Sequence, residues 1–169
     1  MMLTHPLSRS LAPLRQMPVL LALFWLLLAG IGPISAPSTP REVVSSTIFA
    51  PISTAHLLGT DYLGRDVLTR LLFGTSSTVL LCAVATVLAC SAGTFLGMMA
   101  ALKQGLTDTL LSRFMDGVIS IPSLLSGLVA VATFGSSVPV LVLAMACIYM
   151  PGSYRTSRML ALSVVRKDF

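Results

Sequence analysis

The chain has 169 residues, enough for one soluble core, yet only 10% of them are charged and 55% are hydrophobic, whereas soluble domains carry about 25% charged residues. With a mean hydropathy of +0.91 there is too little polar surface to cover a globule in water, so the expected solvent is the bilayer. The net charge of +5 does not indicate nucleic acid: the basic residues stand at the ends of apolar runs, without the aromatic platform of a single-strand binder.

The first apolar run covers 17–34 within a segment 17–36, behind an N-terminal stretch 1–16 that holds Arg9 and Arg15. Its length suits a membrane span. It also resembles a secretory signal, because Ser35 and Ala36 are small and follow directly. The leader and the apolar stretch are both longer than such signals use, which favours a retained helix over a cleaved one. Pro33, Pro37, Pro40 and Pro51 then interrupt regular structure, predicting an extended, exposed stretch up to about His56.

From His56 to Gly74 the chain becomes a polar, glycine-punctuated island within a loop 37–77. The pattern predicts turns followed by a short amphipathic helix at the membrane surface. Gly59 and Gly64 suit positive φ, and Asp61, Arg65 and Asp66 can order the turns through ion pairs and hydrogen bonds to the backbone.

The second span is read at 78–102. In it Ala85, Ala89, Gly93, Gly97 and Ala101 recur every four residues, one stripe of small side chains on a helix. Such stripes let helices approach closely in lipid, which implies a bundle and not a lone anchor. The third span, 114–134, opens beside Arg113 and Asp116 and contains Pro122. Arg113 and Asp116 can pair at a spacing of three; an acid inside a span is also a candidate for a pathway or gate. Pro122 is expected to kink the helix. The fourth span, 138–151, continues as an amphipathic helix through Tyr154, Arg155, Arg158 and Leu162. The expected fold is therefore an all-α, polytopic integral membrane bundle of four spans.

Lys and Arg in short loops orient such a protein. With the N-terminus cytoplasmic, eight basic residues lie inside and three, Arg41, Arg65 and Arg70, outside. Cys82, Cys90 and Cys147 read as small buried hydrophobes, and neither they nor His5 and His56 have metal-ligand spacing. No cofactor is expected. No motif of a hydrolase or nucleotide-binding loop is present, so the chain is read as non-enzymatic.

The island His56-Leu57-Leu58-Gly59-Thr60-Asp61-Tyr62-Leu63-Gly64-Arg65-Asp66, continued by Thr69-Arg70-Leu71 and Gly74, resembles the H-P-L-G-T-D-x-x-G-R-D-x-x-S-R-L-x-x-G signature. That signature belongs to inner-membrane permease subunits of binding-protein-dependent ABC importers, in the dipeptide/oligopeptide/nickel branch, and is most similar to their C-type subunit. Gly93 with Gly97, Arg113 with Asp116 and Pro122, and Tyr154-Arg155 with Arg158 fit the same pattern. The resemblance implies import of peptides or related small solutes, nickel or other metal chelates among them. It also implies a second homologous permease subunit, two cytoplasmic ATPase subunits that hydrolyse ATP, and a periplasmic substrate-binding protein near the signature loop. The loop has two open roles, as a cap on the bundle or as a contact for the binding protein. Residues 78–169 would form an incomplete permease core, because the family continues into an E-A-A coupling loop and two more spans, with Arg155 and Arg158 on the helix that leads there. A truncated chain uncoupled from ATP hydrolysis is expected. The alternative is a small four-helix membrane scaffold or interaction protein without a path of its own.

Overall fold

The computed structural model describes residues 12–165, and every regular element among them is helical. Arg9 and the terminal stretch 166–169 lie outside the described residues, as does the side chain of Arg15. The helices are α1 (Ala12–Ser35), α2 (Val67–Lys103), α3 (Gly105–Ser120), α4 (Ser123–Phe134) and α5 (Val138–Val165). Three of them are long and apolar enough to cross a membrane, and the pair α3–α4 makes a fourth crossing if it counts as one span. The chain divides into two compact units, one up to Leu80 and the other from Leu81.

In the first unit α1 is apolar around its circumference, with Leu20, Phe24, Trp25 and Leu27 all exposed, as expected of a helix in lipid. Pro33 does not end it; both Pro18 and Pro33 lie inside the helix. Each proline removes the backbone bond to the carbonyl four residues back, yet the helix runs on through both positions. The stretch after α1 is largely exposed, as expected, but it is not an extended linker up to His56. It folds back onto the signature: Val44 and Ser45 donate their N–H groups to the Gly64 carbonyl at 2.9 and 3.1 Å, and Thr60 N–H donates to the Ala50 carbonyl at 3.1 Å. A single antiparallel bridge joins Thr60 to Asp66.

The short amphipathic helix and the separate second span are likewise one element. Helix α2 runs unbroken for 37 residues, about 55 Å at 1.5 Å per residue. Gly74 costs such a helix only about 1 kcal/mol relative to alanine. The hydroxyls of Thr75 and Ser77 donate to the Leu71 and Phe73 carbonyls at 2.8 and 2.9 Å, so these polar residues are satisfied within the helix.

In the second unit the third span departs most from expectation. Its helix begins at Gly105, not Phe114, and Pro122 breaks it outright: α3 and α4 are bent by 87°. Proline excludes the preceding residue from the helical region, and Ile121 is extended at φ −88° and ψ 126°. Helix α5 continues from the fourth span through Tyr154 to Val165 without interruption, Pro151 included. The buried centre of this unit is Ala100, Met115 and Tyr154, with Leu96, Leu111 and Met150 packed around it. The three cysteines, expected to be buried, are instead exposed on helix surfaces.

Candidate functional site: the signature loop and two helix seams

Asp61 organises the signature loop. Its Oδ1 accepts the N–H groups of Leu63 at 2.8 Å and Arg65 at 3.0 Å, and its Oδ2 pairs with the Arg70 guanidinium on the first turns of α2. Desolvation pushes the Asp61 carboxyl up, but the amides of Arg65 and Leu63 together with the Arg70 guanidinium outweigh it and hold the group below its ordinary value. Asp66 is the N-cap of α2: its Oδ2 accepts both the N–H and the hydroxyl of Thr69 at 2.8 Å. Asp66 and Thr69 are buried, and His56 Nδ1 stands 3.6 Å from the other Asp66 oxygen, within ion-pair reach when the imidazole is protonated. Thr60 closes the arrangement, accepting the Ala50 N–H at 2.8 Å and donating to the Thr47 carbonyl at 3.2 Å.

The glycines are required by geometry. Gly59 and Gly64 have φ of +72° and +70°, the left-handed region that side chains avoid. A Cβ on Gly59 would sit 2.6 Å from the Ala50 carbonyl oxygen, and one on Gly64 would collide with the Ser45 carbonyl. Among the described residues Arg65 has no ion-pair partner, and its buried Nε has no hydrogen-bond acceptor.

The small-residue stripe of α2 is buried at all five positions, Ala85, Ala89, Gly93, Gly97 and Ala101. Gly93 and Gly97 meet α5 backbone to backbone. A Cβ on Gly93 would lie 2.6 Å from the Met150 carbonyl oxygen, and one on Gly97 equally close to that of Tyr154. In lipid this contact stabilises through dispersion and not through expulsion of water.

A polar ladder ties α3 to α5. Asp108, Ser112 and Asp116 recur every four residues on α3 and face Arg158, Tyr154 and Arg155 on α5. Arg158 grips Asp108 with two nitrogens, Ser112 Oγ and Tyr154 Oη are 2.9 Å apart, and Arg155 donates to Asp116 at 2.7 Å. The local Arg113–Asp116 pair is therefore not formed. Asp116 reaches a partner 39 positions away, because Arg155 offers it a charge across the helix interface. Asp108 and Ser112 escaped the sequence reading; their four-residue spacing with Asp116 was the available signal.

Apolar helices meeting along a small-residue seam, with a polar turn capped onto a long helix, define an all-α, multi-pass membrane protein, and comparison with known proteins then indicates the class. The chain is 40% identical over 140 residues to the dipeptide transport system permease protein DppC of Escherichia coli K12, covering 79% of this chain and 47% of that protein. It is 30% identical over 149 residues to DppC of Haemophilus influenzae, covering 85% and 50%. It is 31% identical over 153 residues to the probable D,D-dipeptide transport system permease protein DdpC of E. coli K12, covering 90% and 51%. No family model matches the chain. The chain is homologous, over most of its length, to permease proteins of dipeptide transport systems, and three of its described helices are long and apolar enough to cross a membrane. It spans about half the length of the curated relatives it matches.

Proposed function

We propose that the chain is the transmembrane permease part of an ATP-driven importer of peptides or related small solutes, metal chelates such as those of nickel among them. The observation that carries this reading is the 40% identity to a dipeptide transport system permease over 79% of the chain. The signature loop adds support, since a turn in which Thr60, Asp61 and Asp66 are all engaged internally is a preformed surface. Its partners are a second homologous permease subunit, two cytoplasmic ATPase subunits and a periplasmic substrate-binding protein. The N-terminus is cytoplasmic and the signature loop periplasmic. Asp61 and Asp66 order the loop, while Arg65, with no internal ion pair, is the residue offered to the binding protein. Arg155 and Arg158 lie on the helix that approaches the ATPase side.

The test is uptake of a labelled dipeptide by cells carrying or lacking the gene in its natural operon. Deletion should reduce uptake to background, and Arg65→Ala should lower it at limiting substrate while leaving membrane insertion intact. Unchanged uptake after deletion would favour a membrane scaffold and would sink the importer reading.

A further inference from the structure

Helix α5 presents two grooves of opposite character on nearly opposite faces, at 100° of rotation per residue. One, toward α3 and α4, is almost wholly apolar, lined by Ile121, Phe134, Leu143, Cys147 and Ile148 among others. The other lies along the α2–α5 seam, beside the buried glycines, and has a volume of about 520 Å³. Thr86, Cys90 and Thr94 line it from α2 at intervals of four, and Tyr149, Ser153 and Ser157 line it from α5. Ser157 Oγ donates to Thr94 Oγ1 at 3.1 Å, and Ser153 Oγ approaches Cys90 Sγ at 3.5 Å.

Depth makes this seam informative. Thr94 and Thr86 stand roughly 13 and 26 Å from Lys103 along the helix axis at 1.5 Å per residue, inside a hydrocarbon core of about 30 Å. Hydroxyls that satisfy themselves on their own helix tolerate lipid, as Thr109 does on α3 by donating to the Gly105 carbonyl at 3.0 Å; in the seam Thr156 is satisfied in the same way. Thr86 forms no hydrogen bond among the described residues, and the phenol of Tyr149 is exposed. Facing hydrocarbon, these groups would forfeit hydrogen bonds that water or a polar solute supplies. No charged side chain lines the groove, so it offers hydrogen bonds without fixing the charge of what passes.

We infer that the hydroxyl-lined seam between α2 and α5 is the face this chain turns to water within the membrane, where it contacts the amide and terminal groups of a passing peptide-like solute. This rests on the importer reading for its solute, but its test does not require transport. Cys90 lies in the seam and Cys147 in the apolar groove, so the protein carries its own probe and control. Single-cysteine forms of the whole protein, assembled with its partner subunits in native membranes, are treated with a small, charged, membrane-impermeant methanethiosulfonate. Only a hydrated thiolate reacts, and a charged reagent does not enter hydrocarbon, so Cys90 in the polar seam should react at least about tenfold faster than Cys147 in the apolar groove. Thr94→Leu with Ser153→Leu should slow Cys90 toward the Cys147 rate, while circular dichroism stays helical. Equal rates at the two cysteines, or an unreactive Cys90, would mean that lipid or a partner helix covers the seam and would overturn the inference. Loss of dipeptide uptake with Cys90 still reactive bears on the importer reading alone.

Discussion

Asp61 receives two backbone amides on one oxygen and a guanidinium on the other, so its ionised form is worth more in the folded loop than in an unfolded chain. The folded pKa lies below the ordinary 3.8. Its contribution is therefore complete above the unfolded value and is lost as pH falls through the lower, folded one. Asp61→Asn removes the charge, so the melting-temperature difference between wild type and variant in mild detergent should be constant above about pH 5 and shrink as the pH drops below about 4. A difference independent of pH over that range would mean that the charge of Asp61 contributes nothing. Gly59 and Gly64 work at the same scale: their positive φ and their lack of a Cβ together permit the turn that Asp61 ties.

At the level of helices, the ladder between α3 and α5 makes a quantitative claim. Hydrogen bonds to charged groups contribute about 1.5–3 kcal/mol each, and Arg158 holds Asp108 with two nitrogens in a half-buried setting. A double-mutant cycle with Asp108→Asn and Arg158→Gln, read by unfolding in mixed micelles, should give a coupling of about 1–3 kcal/mol; additivity within about 0.5 kcal/mol would remove the rung. The small-residue stripe of α2 was legible in the sequence because five small side chains in one register leave one face for packing, whatever the partner. Pro122 was legible as a disruption, but its 87° consequence was not, because the angle depends on how α4 packs against α5. The Arg113–Asp116 pairing failed for a related reason. Spacing along one helix reveals local neighbours, while Arg155 competes for Asp116 from 39 positions away. The continuity of α2 was hidden by its polar first turns, which looked like a surface helix until their hydroxyls were found bonded to the helix itself.

For the chain as a whole, the membrane topology turns on the α3–α4 bend. Counting basic residues assigns the N-terminus to the cytoplasm and the signature loop to the outside, provided that α3 and α4 together cross once. A bend of 87° is equally compatible with a re-entrant loop, which would return the chain to the side it left and reverse α5. Three single-cysteine variants in a background without Cys82, Cys90 and Cys147 separate the two arrangements: Ser53→Cys before the signature, Gln104→Cys between α2 and α3, and Ser136→Cys between α4 and α5. One crossing makes Ser53→Cys and Ser136→Cys react with an impermeant maleimide from the periplasm and leaves Gln104→Cys protected until the membrane is opened. The crossing arrangement is expected, because it gathers Lys103, Arg113, Arg155 and Arg158 on the cytoplasmic side. Protection of Ser136→Cys alongside Gln104→Cys, with Ser53→Cys reactive, would establish the re-entrant loop and move the α3–α5 ladder to a different depth. A protected Ser53→Cys would invert the orientation and separate the signature loop from any periplasmic binding protein.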